Sequence, residues 1–266
     1  MKREKSRGAE SPLGAYRAVA RFYDAEYADK KYLRRDVPFL LKCIGRRKER
    51  ILEVGCGTGR AAIELAAAGH DVVGIDFDPE MIRLAERKVR RGKIEFAVAD
   101  AMELERSQPW GTFDRVVILF NTFLNFVTPA AQDAVMRGTV RQLNRGGRLW
   151  VDVFYPDMAM ICAGTMHGLD MVEFEADGRR VGRQTDIAMH VKLPQVQVLT
   201  NRYAWVDDAG KSRNVDNVFF LRWMYPREIE LLLRAHGFEP VGWWGSHRGA
   251  AVERVRDRII VEAILK

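Results

Sequence analysis

The sequence predicts an α/β fold, a doubly wound and mostly parallel sheet that carries an inserted antiparallel β-meander. Three observations carry this. Short apolar runs alternate with amphipathic helical stretches between residues 50 and 154. The first run breaks into glycines at every second position, in Ile-Leu-Glu-Val-Gly-Cys-Gly-Thr-Gly-Arg, residues 51–60. After Tyr155-Pro156 the long helical stretches stop, and β-like segments follow with turn signals between them.

Each element has its own signal. Tyr16, Val19, Ala20, Phe22, Tyr23 and Tyr27 recur at helical spacing and predict a first helix. Val37, Phe39, Leu40, Leu41 and Ile44 predict a second. Ile51–Val54 is a buried strand, and the following helix, Ala61–Ala66, ends at Gly69. Asp71–Ile75 is the second strand and ends in Asp76. Asp78 then reads as a helix N-cap, with Pro79 at the first position, an apolar face of Met81, Ile82, Ala85 and Val89, and a stop at Gly92. Lys93–Ala99 is the third strand and ends in Asp100; Arg115–Phe120 is the fourth. Thr128-Pro129 opens a helix running to near Asn144, and Gly146-Gly147 turns into the fifth strand, Arg148–Phe154. This alternation specifies a parallel sheet with right-handed crossovers.

Met171–Glu175, Arg183–Val191, Val196–Asp207 and Asn214–Met224 predict the meander, with turns at Asp177-Gly178 and Asp207-Asp208-Ala209-Gly210. Pro226 starts a helix, Arg227–His236, that Gly237 stops. Two final strands lie near Val241–Gly245 and Arg258–Leu265. The chain divides into a tail and helical lid (1–45), a ligand-binding core (46–156), the β insertion (157–225) and a terminal helix with the last two core strands (226–266).

With 266 residues, 47% of them hydrophobic, the chain can bury a sizeable core. No apolar run approaches membrane-spanning length. Met1–Glu10 is charged and lacks an apolar stretch, so it reads as a loose tail, neither signal peptide nor anchor. Cys43, Cys56 and Cys162 have neither a C-x-x-C pair nor metal spacing, which predicts a reduced, cytoplasmic protein without a metal. Net charge is +7, with basic clusters at Lys2–Arg7, Arg46–Arg50, Arg83–Lys93 and Arg179–Arg183. That balance permits attraction to nucleic acid but does not establish it. Arg83–Lys93 also fits the solvated face and last turn of a helix.

The glycines place bare backbone N–H groups at the mouth of the sheet, where a ligand can approach the main chain. Glu53 precedes them inside the strand, and Asp76 and Asp100 end the next two strands. Open α/β sheets bind ligands at these carboxyl ends. A nicotinamide cofactor would need glycine or alanine at position 60, which holds Arg60.

With Glu53 ahead of Gly55, Gly57 and Gly59, the stretch from Ile51 to Phe154 resembles the Rossmann-like, class I S-adenosylmethionine-dependent methyltransferases. The resemblance implies a seven-stranded sheet and S-adenosylmethionine as cofactor, with S-adenosylhomocysteine as product. It implies that the loop lies along the methionine part, Glu53 orients the loop or the amino group, Asp76 binds the ribose, Phe77 lies against adenine, and Asp100 accepts from the adenine amino group beside Ala101. Cys56, Met81, Phe120 and Tyr23 complete the implied cofactor set. Tyr23-Asp24-x-x-Tyr27 resembles the lid of small-molecule methyltransferases of the amino-sugar and glycine N-methylating type. An aromatic stripe packing on the sheet edge explains the same residues.

Acceptor contacts are expected from Tyr16, Tyr27, Asn121, Asn125, Phe126, Tyr155 and Trp223. The Asn121 segment departs from the Asn/Asp-Pro-Pro-Tyr pattern of base-amine and glutamine methylating enzymes. The insertion serves as a substrate wall, a dimer surface or plain strand core. No general base is assigned. His70 and His236 read as helix-end caps, and His190 and His247 as structural or exposed. An in-line transfer needs alignment above all, which supplies about 7–11 kcal/mol. A neutral amine needs no base, whereas a hydroxyl does. The expectation is methyl transfer to a small-molecule acceptor, at nitrogen rather than oxygen, by a monomer or homodimer. Two rivals stand: an RNA or protein methyltransferase, and a non-catalytic cofactor-binding module.

Overall fold

A computed structural model describes residues 16–28, 33–107, 109–252 and 258–266. The expected tail Met1–Glu10 and the basic cluster Lys2–Arg7 lie outside the described residues. Two helices come first, α1 (Ala20–Tyr27) and α2 (Asp36–Ile44). Five strands then alternate with helical segments: β1 (Arg50–Val54), α3 (Arg60–Ala67), β2 (Asp71–Asp76), α4 (Pro79–Lys88), β3 (Lys93–Val98), β4 (Phe113–Ile118), α5 (Pro129–Gln142) and β5 (Leu143–Phe154). Short 3-10 turns cover Ala101–Arg106 and Thr122–Asn125. After α6 (Met158–Ala163) come β6 (Met166–Ala176), β7 (Arg179–Met189), β8 (Val196–Val206) and β9 (Ser212–Arg222). The chain closes with α7 (Pro226–Ala235), β10 (Phe238–Trp244) and β11 (Arg258–Leu265).

Seven strands form one sheet in the order β10-β11-β5-β4-β1-β2-β3. The pairs among β1 to β5 are parallel, and β11 runs antiparallel between β5 and β10. The order reverses between β1 and β4, so the loops after those strands diverge and leave a crevice. β1 and β4 are nearly continuous apolar runs because helices cover both of their faces. Val54, Val116 and Ile118 pack on one side; Ile51, Val117 and Trp150 pack on the other against α2 and α3.

The remaining four strands form a separate antiparallel sheet, β6-β7-β8-β9. The β6–β7 hairpin turns at Asp177 and Gly178, both left-handed (φ 53 and 71°), as a two-residue hairpin loop requires. β6 starts at Met166, ahead of the expected Met171, and α6 was not anticipated. α4 ends at Lys88, not at Gly92, because Val89 is already extended. Gly92 serves another purpose: a Cβ there would lie 2.8 Å from the Ala66 backbone, so it lets α3 approach. α1 begins at Ala20, after a turn over residues 16–19. Among the described residues no helix is long and apolar enough to cross a membrane.

The insertion's concave face packs on two partners. Phe219 and Leu221 join the core around Phe123 and Leu124, while Tyr203 and Val181 join Val19 and Phe22 of α1. Tyr203, Phe219 and Trp223 are at most 8% exposed. Phe220 faces the other way and meets the His190 ring at 5.4 Å.

Candidate active site

The carboxyl ends of β1, β2 and β4 open into one cavity of about 1030 Å³, roofed by α1 and walled by the insertion. It is at the upper limit of ordinary small-molecule pockets and has room for two ligands side by side.

The turn after β1 forms its floor. Gly55, Gly57 and Gly59 all have left-handed φ angles (70, 54 and 78°), a conformation that side chains disfavour. Their surroundings differ. A Cβ on Gly55 would lie 2.3 Å from Thr122 Cγ2, and one on Gly59 would lie 2.5 Å from Phe96 Cζ and 2.9 Å from Ala85 Cβ. Gly57 has nothing within 4 Å of that position. Gly55 and Gly59 therefore permit close packing, and Gly57 alone borders open space. Gly59 is the N-cap of α3 and lies off the cavity wall.

Three carboxylates face this floor. Asp76 holds the turn, since its Oδ2 accepts from Gly57 N–H and its Oδ1 from Asp78 N–H, both at 2.9 Å. Burial pushes its carboxyl above the usual range, and these backbone donors offset part of that rise. Glu53 is 4% exposed and burial pushes its carboxyl up to about 8, partly opposed by the Arg60 guanidinium. Its Oε2 is buried without a hydrogen-bond partner among the described residues. Asp100 Oδ1 caps the 3-10 turn by accepting from Met102 N–H at 2.9 Å, and the residue also lines the cavity. Phe77, 40% exposed, presents its ring to the same space beside Met81 and Ala101. Burial raises the Cys56 thiol well above its ordinary value, so it is no nucleophile. Arg60 does not approach the cavity as a free cation. Its guanidinium forks onto Asp36 at the start of α2 and also donates to Leu33 O at 3.0 Å.

α1 closes the cavity from above. Thr58 Oγ1 of the glycine turn donates to Asp24 Oδ1 at 2.6 Å, and Lys88 Nζ of α4 pairs with Asp24 Oδ2 at 2.7 Å. An aromatic chain runs beneath the helix: Phe219–Tyr16 at 5.5 Å, Tyr16–Tyr23 at 6.2 Å, Tyr23–Tyr27 at 4.7 Å and Tyr27–Phe120 at 5.4 Å. Burial raises all three phenols, so they stay protonated at neutral pH.

Phe120 and Asn121 are consecutive left-handed residues (φ 49 and 67°) at the end of β4. Asn tolerates this; Phe does so only when its surroundings enforce it. Asn121 N–H donates to Asp152 O at 3.0 Å, and its Oδ1 accepts from Phe154 N–H at 2.8 Å and Arg258 Nη2 at 3.1 Å. Behind it, Asp152 is held by Arg258 and by His247 Nε2 at 2.9 Å. The Arg258 guanidinium and the hydrogen bond with the His247 ring keep the Asp152 carboxyl below its usual range despite burial. Asn121, Asn125 and Phe126 line the cavity, although Asn125 Nδ2 already donates to Thr122 O at 3.2 Å.

The structure thus brings together Tyr16, Tyr23, Tyr27, Glu53, Gly55, Cys56, Gly57, Asp76, Phe77, Met81, Asp100, Ala101, Phe120, Asn121, Asn125 and Phe126. It does not bring in Gly59, Tyr155 or Trp223. Tyr155 packs edge-on against Tyr225 at 6.1 Å, and Trp223 is buried with its backbone N–H donating to Gln195 O at 3.0 Å. The insertion supplies wall residues that the sequence did not single out, among them Asp170, Arg183, Thr185 and Asn201. Every histidine has a structural partner. His70 Nδ1 accepts from Glu49 N–H, His167 faces Asp186, His190 accepts from Lys192 and Leu193 N–H, and His236 faces Asp133.

Residues 51–147 match the family described as a methyltransferase domain. A demethylmenaquinone methyltransferase of Thermus thermophilus is 37% identical over 131 residues, 48% of this chain and 56% of that protein. The chain thus spans about half the length of that relative. A cypemycin N-terminal methyltransferase of a Streptomyces species is 27% identical over 219 residues, 79% of this chain and 81% of that protein. Among solved structures, S-adenosylmethionine-bound CalS10, an amino pentose methyltransferase of Micromonospora echinaspora, superposes with a TM-score of 0.67. It is 22% identical, covering 92% of this chain and 96% of that one, a likeness of fold.

Proposed function

We infer that this chain, which over residues 51–147 belongs to the class I S-adenosylmethionine-dependent methyltransferases, transfers a methyl group to a small-molecule acceptor, at nitrogen. One observation carries the reading. A single cavity joins the open space above Gly57 and the unpartnered Glu53 Oε2 to an aromatic and polar wall from a different part of the chain. The residues fit the cofactor. Gly57 leaves the main chain bare, Glu53 has a carboxylate oxygen for an ammonium group, and Asp76 and Asp100 end their strands where ribose and adenine lie in such folds. S-adenosylmethionine supplies a methyl group already activated by its sulfonium.

The protein's own work is then binding, alignment and exclusion of water. Asp76 fixes the turn and the ribose together. Phe77, Met81 and Ala101 form an apolar slot for the adenine. The α1 lid, pinned through Asp24, keeps water out. The aromatic chain from Tyr16 to Phe120 favours a cation beneath it by about 0.5–2 kcal/mol. The nitrogen assignment rests on the phenols and histidines, the usual bases for a hydroxyl: among the described residues the three cavity phenols are raised and the histidines engaged. A neutral amine brings its own lone pair, whereas a hydroxyl needs its proton removed. A relative named as a cypemycin N-terminal methyltransferase supports the same choice.

The test is transfer from methyl-labelled S-adenosylmethionine to a panel of small amines and matched alcohols and phenols. Label in amines supports the reading. Label in hydroxyl compounds alone refutes nitrogen as the target, and label in RNA or protein alone refutes a small-molecule acceptor.

A further inference from the structure

The cavity's far wall is a ruled surface of residue rows running across the four insertion strands. Cross-strand partners share a face, so the pairing register assigns each row. One row holds Arg183 and Tyr203. The next holds Asp170, Thr185, Asn201 and Asn217, one residue from each strand. The third holds Ile187, Leu199 and Phe219. Tyr203 docks on α1 and Phe219 docks on the core. The middle row is polar from edge to edge, and Thr185, Asn201 and Asn217 are at most 5% exposed. Buried polar groups are hydrogen-bonded in stable proteins, so such a row needs partners.

Its internal bonds stop short. Arg183 Nη1 donates to Thr185 Oγ1 at 2.6 Å and to Asn201 Oδ1 at 3.3 Å, and Thr185 Oγ1 donates to Asn201 Oδ1 at 2.8 Å. Arg183 Nη2 donates to Asp170 Oδ2 at 2.5 Å, and its Nε lies 3.1 Å from Glu26 Oε1 of α1. Asn217, 1% exposed, has neither its Oδ1 nor its Nδ2 in a hydrogen bond among the described residues. The bonds assigned to Asn201 and Asp170 use Asn201 Oδ1 and Asp170 Oδ2; the Asn201 amide hydrogens and Asp170 Oδ1 are left on the part of the row that lines the cavity, Asp170, Thr185 and Asn201, with Asn217 behind the lining.

Resting on the methyltransferase reading above, we propose that this row recognises the acceptor, and that it selects a hydroxyl-bearing, neutral or cationic molecule over an anionic one. A guanidinium lining a pocket would ordinarily read as an anion clamp. Here Arg183 is matched by two carboxylates, Asp170 and Glu26, and acts as a positioning residue that fixes Thr185 and Asn201. Of the four other cations on the wall, three are paired with carboxylates, Arg60 with Asp36, Lys88 with Asp24 and Arg258 with Asp152, and Arg34 donates to Ala28 O at 3.0 Å. Asp76 and Asp100 line the same cavity with no ion pair among the described residues, so its interior is not basic although the chain as a whole carries +7. Asp170 and Asn201 stand two strands apart, roughly 10 Å, so they offer an acceptor and a donor across the width of one small ring. Ile187 and Leu199 face the ligand's apolar edge.

The experiment uses the full chain saturated with S-adenosylhomocysteine and follows ligand binding by NMR. The probes are D-glucosamine, cyclohexylamine and D-glucose 6-phosphate. D-glucosamine is expected to bind at least tenfold more tightly than either of the others. Asn201→Leu should weaken D-glucosamine tenfold or more while changing cyclohexylamine and S-adenosylhomocysteine less than twofold. Asn201→Ala, which removes the amide without adding charge, should give the same loss if the leucine variant does not fold. Equal binding of the phosphate probe, no binding of D-glucosamine, or D-glucosamine affinity unchanged in both variants would overturn the proposal. Failure of the wild-type chain to bind S-adenosylhomocysteine would instead remove the reading on which it rests.

Discussion

At the scale of single residues, the three glycines of one turn separate stability from binding. Gly55→Ala forces a methyl onto Thr122 and should lower stability by about 1–3 kcal/mol through overpacking. Gly57→Ala meets no atom; its expected stability cost is only the left-handed backbone, about 1–2 kcal/mol. Its loss should fall on S-adenosylhomocysteine affinity instead. Denaturant melts beside calorimetric titrations separate the two, and equal effects of both variants on both quantities would contradict the assignment. Asp76→Ala should weaken the same ligand by about 1.5–3 kcal/mol, because the carboxylate serves both the Gly57 N–H and the proposed ribose contact. Glu53 gives a pH signature. Its folded value of about 8 exceeds the unfolded carboxyl value near 4.3, so the folded state holds the extra proton between them. The corresponding stability is complete below the unfolded value and disappears as pH rises through about 8. The melting temperature of the ligand-free protein should fall from pH 5 to pH 8, and Glu53→Gln should flatten that fall; parallel curves would contradict it. These residues were legible in the sequence because each follows from local chain chemistry: a strand, a turn that demands positive φ, and a carboxylate at a strand end. Gly59, Tyr155 and Trp223 were not sorted correctly. Whether a neighbour or a cavity faces a side chain depends on distant segments, here Phe96 and Tyr225.

At the scale of elements, α1 acts as a strap. Asp24 ties it to the glycine turn and to α4, and Glu26 ties it to Arg183 and to the Tyr203 hydroxyl of the insertion at 2.7 Å. Asp24→Ala should release the first tie only. The expected result is faster hydrogen exchange over Ala20–Tyr27 and faster release of S-adenosylhomocysteine, a loss of about 0.5–1.5 kcal/mol per bond removed. Unchanged exchange in α1 would show that its packing alone holds it. The aromatic stripe of α1 was visible in the sequence, but the ties made by Asp24 and Glu26 were not, because their partners lie 34 and 177 residues away. Helix starts were read well at Asp78, where the N-cap oxygen accepts from Glu80 N–H, and at Thr128, which accepts from Ala131 N–H. The end of α4 was placed too late, because Gly92 looked like a stop signal while it answers to the α3 backbone.

At the scale of the whole molecule, the sheet is fastened at the end opposite the cavity by a buried ion cluster. Arg115 of β4 pairs with Glu49 at 2.7 Å and with Glu262 of β11 at 2.6 Å, and all three are at most 7% exposed. Arg115→Met would leave Glu49 without its cation and Glu262 with Arg148 alone, at 3.2 Å, and should cost about 3–5 kcal/mol in denaturant melts. Adding Glu49→Leu and Glu262→Leu should recover most of that loss, and a single variant as stable as wild type would refute the cluster's role. The doubly wound sheet was legible because strand and helix periods alternate along the chain. The insertion's recognition row was not, because it exists only through the register of four strands, and a one-residue slip would send every member to the opposite face. The cavity above Gly57 is the proposed seat of an adenosyl ligand, and every binding role given to the neighbouring residues depends on it. Titration of the folded wild-type chain with S-adenosylhomocysteine in a calorimeter tests this most directly. Saturable binding of one molecule per chain, lost in Gly57→Val, is the predicted result; a correctly folded chain that takes up none would contradict it.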